Sequence, residues 1–201
     1  MATISLEGRV TRVLKETGIT AAPVPVHLVA QRLGLLLESV PLGDEVSGVL
    51  VIDGGHGVIG YNAAHPPARQ RFTIAHEIGH YIMHRNDAAL FIDQRFFATF
   101  RDTRSSRGSD KREREANAFA ASLLMPTQLV LTEISHRDFD LGGEDGLTDL
   151  AQAFQVSVQA MVYRLTNMGV LSPTTDLRDL FAERPHPKAR AAVTKGSRPR
   201  R

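Results

Sequence analysis

His76, Glu77 and His80 stand in the order H-E-x-x-H, and these residue types at this spacing suit metal-assisted hydrolysis. Residues 71–84 read as helix. Residues four apart on a helix share a face, so two imidazoles can grip one metal ion. Glu77 stands about a quarter turn round, where a carboxylate can act on a water at that metal. Phe72, Ile74, Ala75, Ile78, Ile82 and Met83 spread round the whole helix, the mark of a buried helix. Two histidines and a glutamate buried there without partners would be costly, and a metal ion is a good partner.

A catalytic zinc takes three protein ligands and leaves one position open. His84 is a poor third ligand, because three successive turns of a straight helix diverge around a single ion. It suits a supporting role beside the ligands instead. The longer H-E-x-x-H-x-x-G-x-x-H pattern is absent, since Ile82 and Asn86 occupy its Gly and His positions. A downstream carboxylate remains, and Glu113 and Glu115 compete for the place. The apolar stripe Ala116, Phe119, Ala120, Leu123 and Leu124 sets the inward direction of their helix. Glu113 lies roughly 60° from its centre and Glu115 roughly 100°. Glu113 is the better aimed and Glu115 the fallback. Asn117, four residues after Glu113, can hydrogen-bond a ligating imidazole and fix its tautomer.

The elements that must position these groups follow from periodicity and turn residues. Residues 4–17 read as an amphipathic helix closed by Gly18. A second helix follows the Pro23/Pro25 pair and ends at Gly34. Residues 35–40, 46–52 and 58–61 read as strands, the last two joined by a Gly-rich hairpin turn. Pro66 and Pro67 suit the entry to the His76 helix. A short strand is expected within residues 90–100, a polar loop over 101–111, and helix from about 112 to Pro126. A turn-rich stretch, 136–146, leads to two short helices, 147–154 and 157–168. That pair resembles a helix-turn-helix. Its second member offers a DNA surface only Gln159, Arg164 and Asn167, so a structural or docking role is expected and direct DNA binding is not primary.

Composition narrows the class. The chain has 201 residues and no cysteine, which excludes disulfides, thiolate zinc sites and cysteine nucleophiles. All 22 acidic residues lie at or before Glu183 with 17 of the 24 Lys+Arg, net −5, and a basic tail follows. That tail has too little apolar content to order itself. No signal-peptide layout opens the chain and no apolar run suggests a membrane span, so a cytoplasmic protein is expected.

At this point the chain resembles a known family. Residues 69–80, Arg-Gln-Arg-Phe-Thr-Ile-Ala-His-Glu-Ile-Gly-His, and 113–126, Glu-Arg-Glu-Ala-Asn-Ala-Phe-Ala-Ala-Ser-Leu-Leu-Met-Pro, look like the ImmA/IrrE metallopeptidases. The likeness covers roughly residues 20–172, including Asp44 to Gly48 and Ile59 to Asn62. It implies a gluzincin-like zinc site of two His and one Glu, with manganese the alternative in the cell. It also implies cleavage of an Xre-type helix-turn-helix repressor, often in a stress response. One branch carries a further C-terminal sensor-like domain; the short basic stretch after about residue 172 leads us to expect the compact form.

The expected protein is α+β: a mainly helical, zincin-like metallopeptidase with a small antiparallel sheet. Residues 1–135 would form the peptidase domain, 136–172 the helix-turn-helix-like subdomain and 173–201 the tail. Glu77 would be the general base and His76, His80 and Glu113 the zinc ligands, with Asn117 and His84 behind them. The strand at 46–52 is the candidate edge for an extended substrate. Tyr61, His65, His84 and His136 are candidates to stabilise the oxyanion. The rival reading is a non-catalytic DNA- or repressor-binding regulator with a structural metal.

Overall fold

The computed structural model describes residues 4–94, 109–136 and 144–172, and in it one helix, α3 (Pro67–His84), runs through the interior. Pro66 and Pro67 open it, where a missing N–H costs nothing. Nine of its residues are buried, His76, Glu77 and His80 among them, because it is covered on both sides. A sheet packs on one side and α4 (Ser109–Leu124) on the other.

The sheet has four strands in the order β1-β3-β2-β4: β1 (Leu35–Val40), β2 (Val46–Asp53), β3 (His56–Asn62) and β4 (Leu90–Gln94). β2 and β3 form the expected hairpin, its turn made by Gly54 at φ 54° and Gly55 at φ 87°. Two positive φ angles in succession demand glycine and match the twist of the flanking strands. The α+β class with a small sheet is as expected, but the sheet is mixed, because β1 pairs parallel to β3. β1 can do so because α2 (Val26–Arg32) precedes it and a five-residue run of loop reverses the chain before β2.

The expected edge strand is corrected. β2 is hydrogen-bonded to β3 on one side and to β4 on the other, so it has no free edge. β4 is the edge on that side.

α1 (Leu6–Glu16) is capped by Ser5, whose Oγ accepts from the Gly8 N–H at 3.2 Å. Its Val10 and Val13 enter the core that holds Leu50 and Ile59 of the sheet, Ile74 and Ile78 of α3, and Phe119, Leu123 and Leu124 of α4. A further helix, α5 (Thr127–His136), was not expected, since Pro126 reads as a stop. Pro126 instead starts α5, its carbonyl accepting from the Val130 N–H at 2.9 Å. Residues Lys111–His136 are long and apolar enough by composition to cross a membrane. They are, however, broken at Pro126, charged in the first turns, and packed along α4 against α3.

α6 (Glu144–Phe154) and α7 (Val158–Asn167) are the expected helix pair, with Ser157 capping α7. Arg164, the one cation of α7, points inward. Its Nε–H donates to the Met125 carbonyl at 2.9 Å and its Nη2 to Glu7 Oε1 at 2.9 Å and Thr127 Oγ1 at 3.0 Å. Burial alone would raise the Glu7 carboxyl, but Arg164 holds it below its ordinary value. Of the polar loop expected at 101–111, residues 109–111 instead open α4; the rest of it, most of the turn-rich stretch at 136–146 and the basic tail lie outside the described residues.

Candidate metal centre

His76 and His80 occupy successive turns of one face of α3, and Glu113 comes to them from the second turn of α4. The helices meet closely because Gly79 lies at their crossing. A Cβ there would stand 3.2 Å from Phe119 and 3.3 Å from the Ala116 backbone. His76 Nε2 lies 3.0 Å from His80 Nε2. Glu113 Oε2 lies 3.2 Å from His76 Nε2, and its Oε1 3.3 Å from His80 Nε2.

These separations test the fit of a metal. Three donors bound at 2.0–2.1 Å in tetrahedral zinc geometry stand about 3.3 Å apart. Two imidazoles and one carboxylate in that spacing suit zinc or a similar divalent ion. Burial would raise the Glu113 carboxyl, but its hydrogen bonds to His76 and His80 outweigh this and hold it well below the carboxylate range. Burial lowers His80, with Glu113 opposing, so its imidazole is the neutral form that a metal requires.

Glu77 is fully buried and neither of its oxygens has a hydrogen-bond partner. Burial pushes its carboxyl well up, and the Asp93 and Glu113 charges push it further. A carboxyl held in this state has raised basicity, as a general base needs. His76 Nδ1 faces Asn117 Oδ1 at 3.0 Å, the contact expected of a residue that fixes a tautomer. His84 faces His80, their Nδ1 atoms 3.2 Å apart. Glu115, the fallback ligand, is not brought to the two histidines. It turns to His84 Nε2 at 3.1 Å, as its wider angle from the apolar stripe suggested.

Asp93 escaped the sequence reading. It sits on β4, 6% exposed, with a donor oxygen within 4.8 Å of donor atoms of His76 and Glu77. Burial, and then the Glu113 charge, raise its carboxyl to about 7 against the pull of Arg69. The available signal was its place two residues from Phe91 on the inward phase of a strand. Phe91 itself stacks on His80, ring centroids 4.6 Å apart. β4 therefore runs along the centre. Of the oxyanion candidates, His84 is turned away toward Glu115 and Tyr61 packs edge-on against His27. Among the described residues no hydrogen bond links Tyr61, His65 or His136 to His76, Glu77 or His80.

Residues 30–166 match the peptidase M78 family, described as the IrrE N-terminal-like domain. The chain is 35% identical over 134 residues to the radiation response metalloprotease IrrE of Deinococcus radiodurans, covering 66% of this chain and 37% of that protein. It is 32% identical over 133 residues to the protein of the same name from Deinococcus deserti, covering 66% and 43%. The chain thus spans about two fifths of the length of these curated relatives. Among solved structures it resembles a Mycobacterium tuberculosis transcriptional regulator in fold, with TM-score 0.56 and 18% identity over 80% of this chain and 46% of the other.

Proposed function

The chain belongs to the peptidase M78 family of IrrE-like metallopeptidases, and on that premise we propose that it is a zinc-dependent endopeptidase acting on an Xre-type repressor. The observation that carries the reading is the convergence of His76, His80 and Glu113 with tetrahedral spacing beside a buried Glu77 that lacks any hydrogen-bond partner.

His76 Nε2, His80 Nε2 and Glu113 would hold the ion. When bound, zinc supplies Lewis-acid polarisation of water and of the scissile carbonyl. Glu77 accepts a proton from the attacking water as its oxygen bonds to the carbonyl carbon. The same carboxyl then delivers that proton to the departing amine nitrogen as the C–N bond breaks. Asn117 keeps His76 in the tautomer that presents Nε2. β4 replaces β2 as the strand to which an extended substrate segment would add, since its outer edge is unpaired among the described residues and Phe91 and Asp93 border the centre. The rival DNA-reading role is disfavoured by Arg164, which is 7% exposed and bonded to the interior.

The test is cleavage of a purified Xre-type repressor encoded beside this chain. Wild-type protein should cut it at one bond, stop on chelation and recover with zinc. Glu77→Gln should retain zinc and lose cleavage, and Glu113→Ala should lose most of its zinc. Wild-type rates from Glu77→Gln would overturn the mechanism. Zinc retained by Glu113→Ala would overturn the ligand set, and an uncut repressor would overturn the substrate.

A further inference from the structure

Behind the centre, a further histidine and a further glutamate are in line with His80. We propose that His84 and Glu115 form a directional hydrogen-bond chain that fixes the tautomer and rotation of His80. The proposal rests on the reading of His76, His80 and Glu113 as metal ligands.

The direction follows from donor and acceptor accounting. An imidazole that presents Nε2 to a metal carries its proton on Nδ1. His80 Nδ1–H must therefore donate, and the atom facing it at 3.2 Å is His84 Nδ1. His84 Nδ1 must then accept, which places the His84 proton on Nε2. That Nε2–H faces Glu115 Oε2 at 3.1 Å, and a carboxylate only accepts. Each atom has one role, and the chain runs from His80 to Glu115 without conflict. His84 is 4% exposed, so water does not compete for its ring.

The surroundings favour the arrangement. Glu115 opens onto a cleft of about 510 Å³ that is also lined by Arg9, Lys111 and Arg114. Lys111 Nζ lies 3.7 Å from Glu115 Oε1. On the opposite side Phe91 stacks on the His80 ring at an interplanar angle of 27°. His80 is thus held in its plane by Phe91 and in rotation by His84, and Asn117 does the second task for His76. Histidine at 84 makes the link because it is one helical turn beyond His80 and carries both an acceptor and a donor.

The experiment is zinc affinity by chelator competition, alongside melting of the metal-free proteins. His84→Leu should weaken zinc binding about tenfold to a hundredfold. His84→Gln, whose side-chain carbonyl can accept from His80 Nδ1–H, should recover most of that loss. Glu115→Gln should weaken binding less, and metal-free melting should stay near wild type in all three. Unchanged zinc affinity in His84→Leu overturns the proposal. So does equal loss in His84→Gln and His84→Leu accompanied by lower metal-free melting, which marks a packing role. His76→Ala separates this from the site reading: if it abolishes zinc binding while His84→Leu does not weaken it, only the chain falls. If His76→Ala binds zinc like wild type, the ligand assignment falls and this proposal with it.

Discussion

Replacing Gly48 with alanine should separate metal binding from hydrolysis. Gly48 lies on β2, opposite Tyr61 of β3 and Asp93 of β4, where the strand passes against α3. A Cβ there would collide with Thr73 Cγ2 and stand 3.0 Å from Glu77 Oε1 and 3.3 Å from the Gly60 carbonyl oxygen. Ordinary carbon contacts are about 3.5–4.0 Å. Thr73 is β-branched and has little rotamer freedom in a helix, and the Gly60 oxygen is backbone. Relief must come from moving α3 off the sheet or displacing the Glu77 carboxyl. Overpacking of this kind costs about 1–3 kcal/mol. At about 2–4 °C per kcal/mol for a domain of this size, the melting temperature should fall by about 2–12 °C. The three metal donors lie on α3 and α4 alone, so zinc binding should survive. A misplacement of about 1 Å at Glu77 should slow cleavage about a hundredfold. The assay is cleavage of the proposed repressor substrate by zinc-loaded protein, with metal content and melting measured on the same sample. Wild-type melting and a wild-type rate would refute the close approach of β2 to Glu77. Loss of zinc would refute the independence of the donors from the sheet.

Two further outcomes follow from buried charges. Arg164→Met removes three hydrogen bonds, leaves the Met125 carbonyl without its donor and takes from Glu7 its cation, while Thr127 keeps its bond to Glu7. The expected loss is about 3 kcal/mol in urea unfolding with zinc affinity unchanged, and a loss under about 0.5 kcal/mol would argue against this anchor. Asp93 has an ordinary carboxyl value of 3.8 and is raised to about 7 by burial and by Glu113. The folded state then holds a proton that the unfolded chain has released, so this group lowers stability as pH rises from about 4 to about 7. Asp93→Asn should raise the melting temperature of the chelator-treated protein at pH 8 and leave it unchanged near pH 4. An equal effect at both values would rule out the buried charge as its source.

Much of the centre was legible because it is local. The i, i+4 spacing puts His76 and His80 on one helix face whatever surrounds them, and the same rule places Asn117 beside Glu113. The apolar stripe of α4 aimed Glu113 inward more directly than Glu115, and Gly54-Gly55 announced a hairpin that backbone sterics require. What periodicity cannot state is which face meets which. Whether β2 or β4 forms the edge depends on a strand that returns from some 40 residues later in the chain. The burial of Asp93 beside Glu77 follows from that same pairing. Glu115 found His84, and Arg164 found Glu7, across 31 and 157 residues of separation. Pro126 reads locally as a stop, but an interior apolar face on Val130 made it a start. The sequence alone determined a helix able to present two imidazoles and a carboxylate, together with the acid most able to join them. The tertiary structure decided which strand lies along them, which acid is buried with them and which groups stand behind them, because long-range packing selects among faces that local periodicity leaves equivalent.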